Sequence, residues 1–196
     1  MKFKLFNYKI VKSTNEKAIK LIKINKIDYG CICADVQTKG RGTYGKKWVS
    51  KKGNFFGSVF FPLKKNYPSF DQFSLINPVI VSNILQIFCD KRKLKIKFPN
   101  DIFLNGKKIC GILQEIITID KKNFLIIGVG LNVNSNPSIK KKYKATNIFR
   151  ETQIRTTTNE IATLLIKSYE IFFLNLKSFN YSHLKKKTDL MAFNIK

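Results

Sequence analysis

The stretch KFPNDIFLNGKKICGILQEIITIDKKNFLIIGVGLNVN, residues 97–134, decides the fold. Pro99 stops one strand, with Asn100 and Asp101 at the turn that follows. Asn105-Gly106, set between two apolar runs, is a strong signal for a two-residue hairpin. A second turn over 120–123, DKKN, leads into the apolar run FLIIGVGLNVN. The segment thus reads as successive strands joined by tight turns, and tight turns force antiparallel neighbours. Lys107 and Lys108 begin a strand directly after a turn. Gly111 interrupts that strand where something approaches its backbone, and the run after the second turn carries Gly128, Gly130 and a terminal Asn132.

Upstream, residues 93–98 read as a short strand and 72–92 as a helix, with Pro78 near its first turn or at a kink. Residues 54–61 and 29–36 are apolar strands, and 3–11 alternates as a first strand. Ser13 and Glu16, three residues apart, form a capping-box pattern opening a helix over 15–23. Downstream, residues 135–157 are polar and read as an irregular surface loop. Residues 159–176 carry apolar residues at helical spacing, with Thr158 as cap, and one more short helix closes the chain. No internal repeat is present. Strands joined by hairpins, with a long helix in the middle and one near the end, predict an α+β fold: a mixed, mostly antiparallel sheet with helices on one face.

Between two of these strands lies QTKGRGTYGKKWVSKKGNFFGSVFF, residues 37–61, which holds Gly40, Gly42, Gly45, Arg41, several lysines and Trp48, the only tryptophan. Glycines bring the backbone close to a ligand, and free N–H groups beside cationic side chains suit phosphate or carboxylate. A glycine-rich basic loop is equally a plain surface turn. The Ser13-Thr14-Asn15 segment, at a helix start, is readable as simple capping or as a site for a carboxylate or ureido group.

The 196 residues suit one domain with a continuous core. At 44% hydrophobic and 25% charged the composition is that of a soluble globular protein, and no apolar run is long enough for a bilayer. The N-terminus lacks a signal-peptide pattern, which predicts a cytoplasmic protein without membrane association. Cys31, Cys33, Cys89 and Cys110 contain no CxxC pair, and His183 is the single histidine, so zinc-site spacing is absent. The cysteines read as reduced, small and mostly buried. The net charge of +25 suggests polyanions, but only Arg41, Arg92, Arg150 and Arg155 among 37 basic residues are arginine and the lysines are scattered. That pattern predicts salt-sensitive sticking and no specific nucleic-acid site.

Four blocks occur in a fixed order: STN (13–15), QTKGRGTYGKKW (37–48) with GNFFGSVFF (53–61), KFPNDIFLNGKKICGILQE (97–115) and GVGLNVN (128–134). Together they resemble the catalytic domain of biotin protein ligases. The resemblance implies a class II aminoacyl-tRNA synthetase/biotin ligase-like fold and an ATP-dependent, two-step reaction. Biotinyl-5'-adenylate would form first, and biotin would then pass to a lysine of the biotin carboxyl carrier protein of acetyl-CoA carboxylase. ATP, Mg2+ and biotin would be needed, with no tightly bound prosthetic group. By resemblance, Lys108 and Arg41 are catalytic. Ser13, Thr14, Asn15, Gln37, Gly40, Arg41, Gly42, Thr43, Lys108 and Gly111 would bind biotin, and Arg41, Trp48, Asn100, Lys108 and Asn132 the nucleotide. Asp101 would bind Mg2+ or hold Lys108. Thr43 stands where many relatives carry arginine, and Phe98 where tryptophan is usual. The resemblance implies one catalytic domain over 1–196, monomeric or homodimeric, with neither an N-terminal DNA-binding domain nor the small C-terminal barrel. Two other readings stay open: a lipoate or octanoate ligase or transferase on the same fold, and a non-catalytic basic binding module. Whether Arg41 and Lys108 share one pocket separates the last from the first two.

Overall fold

The computed structural model describes residues 1–137 and 144–193. Seven strands form one sheet: β1 (Lys4–Val11), β2 (Gly30–Gln37), β3 (Phe55–Pro62), β4 (Leu94–Lys97), β5 (Asp101–Leu104), β6 (Lys107–Ile119) and β7 (Lys122–Leu131). Their order across the sheet is β1-β2-β3-β7-β6-β5-β4. Only β1 and β2 run parallel, because helix α1 (Thr14–Asn25) crosses between them. All other neighbours are antiparallel, as the sequence predicts. Both expected hairpins form. Asn105 (φ 50°) and Gly106 (φ 72°) turn β5 into β6, while Asp120 (φ 48°) and Lys121 (φ 60°) make the same left-handed turn without a glycine.

Alternation along the strands divides the apolar residues between two faces. Phe55, Val59 and Phe61 of β3 join Leu125, Ile127 and Val129 of β7 in the main core. Helices α2 (Phe70–Leu85) and α4 (Thr158–Leu174) close it with Phe73, Ile76, Ile80, Ile161, Leu165 and Tyr169. Burying each such side chain stabilises the fold by about 1.5–3 kcal/mol. Across this core Tyr169 Oη donates to Asn77 Oδ1 (2.9 Å) and Asn77 Nδ2 to Gln114 Oε1 (2.7 Å), so α4, α2 and β6 are tied by a buried polar chain. Helix α5 (Tyr181–Met191) packs beside α2 and β4. The second face is covered only in part. There Ala18, Leu21 and Ile22 of α1 pack on Ile32, Phe60 and Ile126. The remainder of that face holds a cavity.

Several local expectations are corrected. Ser13 does not cap α1 with its side chain. Gln37 Oε1 accepts from Thr14 N at 2.9 Å instead, and Glu16 turns towards Arg41. A tertiary contact has replaced the local box. The middle helix spans 70–85 and not 72–92, so Pro78 lies well past the first turn. It ends before the Asp90 carboxylate, which accepts from Arg92 N and closes a separate short turn. Thr157, one residue ahead of Thr158, caps α4 in a capping box with Glu160. The segment expected as an irregular loop contains helix α3 (Ile148–Thr152), started by Asn147 Oδ1 accepting from Arg150 N. Part of that segment, 138–143, lies outside the described residues.

Two polar anchors fix the end of β7 and the start of β6. Asn54 Oδ1 accepts from the backbone of Val133, Asn134 and Ser135 at 2.9–3.1 Å. Glu151 receives Thr146 Oγ1 (2.6 Å), Asn105 Nδ2 (2.6 Å) and Lys107 Nζ (2.9 Å), which clamps the β5–β6 hairpin to α3. Burial opposes the charge on Glu151, but those three donors and the Lys107 charge outweigh it and hold the carboxyl down at about 2. A carboxyl depressed in the folded state stabilises it above the unfolded value, about 4.3, and loses that effect as pH falls through the folded one. Glu151→Gln is therefore expected to cost about 2 kcal/mol at pH 7, lowering Tm by roughly 4–8 °C. Thermal melts should show the gap to wild type narrowing between pH 4 and pH 2; a gap that stays constant with pH would contradict the role of the charge.

Candidate active site

A cavity of about 250 Å³ lies on the second face of the sheet, beside the N-terminus of α1. Its volume is near the lower end for small-molecule sites, roughly 300 Å³. The floor is made by Gly111 and Leu113 of β6, paired in register with Gly130 and Gly128 of β7. These glycines are needed for room. A Cβ at Gly128 would stand 2.5 Å from Asn15 Oδ1, one at Gly111 2.6 Å from the Trp48 ring, and one at Gly130 would overlap the indole. What approaches Gly111 in this structure is thus Trp48.

One wall is the start of α1. Thr14 Oγ1 lies 3.1 Å from Gln37 Oε1, and Ser58 Oγ lies 2.7 Å from Thr14 Oγ1 and 2.5 Å from Asn15 Oδ1. The Thr14 and Ser58 hydroxyls hold two protons between them for three close oxygen pairs. This wall is rich in acceptors and suits ligand N–H donors. Gln37 is a strut: its carbonyl serves Thr14, and its Nε2 donates to Ser50 Oγ at 3.1 Å.

The opposite wall carries Lys108 at the start of β6 and Asp101 at the start of β5. Lys108 Nζ and Asp101 Oδ1 are 2.5 Å apart, with side chains 13% and 15% exposed. The ammonium also lies 5.4 Å from the centre of the Trp48 ring. A charge so sheltered interacts strongly with any second charge brought into the cavity. Asn132 is buried. Its Nδ2 donates to Thr146 O at 2.9 Å, whereas its Oδ1, like Trp48 Nε1, is buried without a hydrogen-bond partner among the described residues. Such an acceptor and donor carry a desolvation cost that a polar ligand would relieve.

The roof is the loop over residues 38–50. Arg41 bridges to Lys47, and Trp48 N donates to Gly40 O at 3.0 Å, so the loop doubles back as a miniature ribbon. Tyr44 (φ 55°) and Gly45 (φ 69°) form its tip, and Tyr44 is 93% exposed. Arg41 Nη2 lies 2.8 Å from Glu115 Oε2, and its Nε 4.0 Å from Glu16 Oε1. Asn100 Nδ2 donates to Thr43 Oγ1 at 3.2 Å, pinning the far side of the roof.

Ser13, Thr14, Asn15, Gln37, Arg41, Gly42, Thr43, Trp48, Asn100, Asp101, Lys108, Gly111 and Asn132 all line this cavity. Arg41 and Lys108 share one pocket. Gly40 stands behind it, where a Cβ would strike Trp48 O at 2.5 Å, and so shapes the roof without lining it. Sequence reasoning noted Gly128 and Gly130 but gave them no place in the site, and it gave none to Tyr44, Lys46, Lys47 or Lys97, which also line the cavity. The spacing of Gly128 and Gly130 by two was the available signal, since it puts both on one face. Among the described residues Asp101 is the only acidic one lining the cavity, its carboxylate already faces Lys108, and no cluster of three metal-ligating side chains occurs. This donor set does not fit a resident Mg2+.

The family model for the biotin/lipoate A/B protein ligase family matches residues 8–132. The bifunctional ligase/repressor BirA of Bacillus subtilis is 34% identical over 140 residues, covering 68% of this chain and 42% of that protein. A biotin–[acetyl-CoA-carboxylase] ligase of Paracoccus denitrificans is 32% identical over 127 residues, covering 64% and 52%. The chain thus spans less than two thirds of the length of these curated relatives. Among solved structures, the biotin protein ligase from Aquifex aeolicus in complex with biotin and ATP superimposes with a TM-score of 0.79 at 29% identity, over 97% of this chain and 78% of that one. The Leishmania major biotin protein ligase bound to biotinyl-5-AMP shares the fold, with a TM-score of 0.82 at 23% identity over 98% and 84%. A match across most of the chain, containing the glycine floor, the roof and the Lys108–Asp101 pair, shows that the chain belongs to the biotin/lipoate A/B protein ligase family.

Proposed function

We propose that this chain carries an ATP-dependent biotin–protein ligase centre that makes biotinyl-5'-adenylate and passes biotin to a lysine of a biotin carboxyl carrier protein. The observation that carries this reading is the sheltered Lys108 ammonium, which shares one glycine-floored cavity with Arg41. In the first step a biotin carboxylate oxygen attacks the α-phosphorus of ATP, and the bond to pyrophosphate breaks. Two anions must meet, so fixed cations are needed where negative charge concentrates. Lys108 supplies one, held in place by Asp101. The acceptor-rich wall of Thr14 and Asn15, backed by the buried Ser58, receives the ureido N–H groups, while Trp48 and Asn132 Oδ1 serve the nucleotide. In the second step the carrier lysine amine attacks the acyl carbon, and AMP leaves with the bonding pair. Magnesium would come with the triphosphate, and no step here depends on a protein site for it. Cys110 faces the main core and burial pushes its thiol far up, which argues against an octanoyltransferase using it as acyl carrier.

Biotin-dependent ATP–pyrophosphate exchange tests the first step, with lipoate and octanoate run beside it. Exchange with biotin alone is expected; exchange with lipoate alone would move the assignment to the lipoate branch. Lys108→Ala is expected to slow exchange about 100-fold or more while changing biotin affinity far less, because its charge acts mainly in the transition state. That variant strands a sheltered carboxylate, so Lys108→Ala/Asp101→Asn should regain thermal stability without regaining exchange. Equal losses of exchange and of biotin binding would contradict the role given to Lys108. Gly130→Ala is expected to push Trp48 out of its seat, shifting the emission of this single tryptophan to the red and weakening nucleotide binding. Unchanged emission would show that the floor tolerates a Cβ.

A further inference from the structure

Glu115 is absent from the reaction described above, yet one of its carboxylate oxygens makes short contacts with both the wall and the roof of the cavity. Its Oε2 accepts from Asn15 Nδ2 at 2.7 Å and from Arg41 Nη2 at 2.8 Å. The first contact, with Leu113 O accepting from the same Nδ2 at 3.3 Å, fixes which way the Asn15 amide points. Its oxygen then faces Ser58 Oγ and lies in the space that the missing Cβ of Gly128 leaves open. The second contact reaches a residue of the roof. Glu16 Oε1, at 4.0 Å from Arg41 Nε, is a looser second tie. Arg41 is therefore parked on carboxylates that belong to the wall and floor.

We propose that Glu115 is a positioning residue with two jobs: it sets the acceptor face of Asn15, and it latches the Arg41 roof to the sheet until an anionic group in the cavity takes the guanidinium over. The two jobs are separable. Glutamine at this position keeps an oxygen for Asn15 but offers Arg41 no charge, whereas leucine offers neither. The roof carries Arg41, Lys46 and Lys47, all exposed, so trypsin reads its opening directly, and Trp48 reads it by acrylamide quenching.

The inference about Asn15 rests on the proposed biotin reading, but the latch does not, since proteolysis and quenching need no substrate. Glu115→Gln and Glu115→Leu are both expected to speed cleavage in the 41–47 segment several-fold and raise quenching, with far-ultraviolet circular dichroism unchanged. Arg41→Ala should increase quenching to the same degree, and combining it with Glu115→Gln should add nothing further. Additive effects, or wild-type cleavage and quenching in both Glu115 variants, would overturn the latch. In the exchange assay Glu115→Gln should leave the KM for biotin within about twofold, while Glu115→Leu should raise it about tenfold, equivalent to about 1.4 kcal/mol. Equal KM values for the two variants would overturn the orienting role.

Discussion

A β-sheet has two faces, and in this molecule only one of them is fully packed. The residues on β6 and β7 that point away from the main core include Gly111, Gly128 and Gly130, which bring no side chains to fill the space above them. The other arrangements at the cavity follow from that deficit. Because the floor is bare, an indole can lie flat on it and an asparagine can press against it. The main core on the reverse face, with its Phe, Ile and Leu side chains and the Tyr169–Asn77–Gln114 chain, keeps the bare patch from collapsing. Glycine weakens a strand. Placing three of them in the middle of a seven-stranded sheet is tolerable because each of these glycines is paired with a strand on both sides.

Charge is arranged around the same patch by local pairing against a strongly basic background. Asp101, Glu16 and Glu115 all sit at the cavity or its edge, and each faces a cation there. The many surface lysines lie in high dielectric, where their fields are screened within about 8–10 Å. Lys108 differs from them by burial and by its partner, not by residue type, which is why composition alone could not single it out.

The features that depend on neighbouring residues were legible in the sequence. Asn105-Gly106 announced a left-handed turn, the apolar runs announced strands, and the glycine-rich basic loop stood out by density. Features that depend on distant residues were hidden. The N-terminus of α1 is satisfied by Gln37, over twenty positions away, so the Ser13–Glu16 pattern pointed to a box that does not form. Helix α3 was obscured by a polar, lysine-rich stretch, because its anchor, Glu151, works through Asn105 and Lys107 on another element. Glu115 read as one more polar residue in a strand. Its meaning comes only from the register that brings it to Asn15 and from the loop that brings Arg41 to it.

Helix α1 is tied at both ends, by the parallel β1–β2 crossover and by its packing on Ile32, Phe60 and Ile126, so the wall that it supplies behaves as part of the sheet. The roof, by contrast, is a ribbon of a dozen residues whose tip projects into solvent. Recognition and access are thus assigned to parts of different stiffness. Changes in the wall are expected to register chiefly in how long a ligand stays, and changes in the roof also in how quickly it arrives.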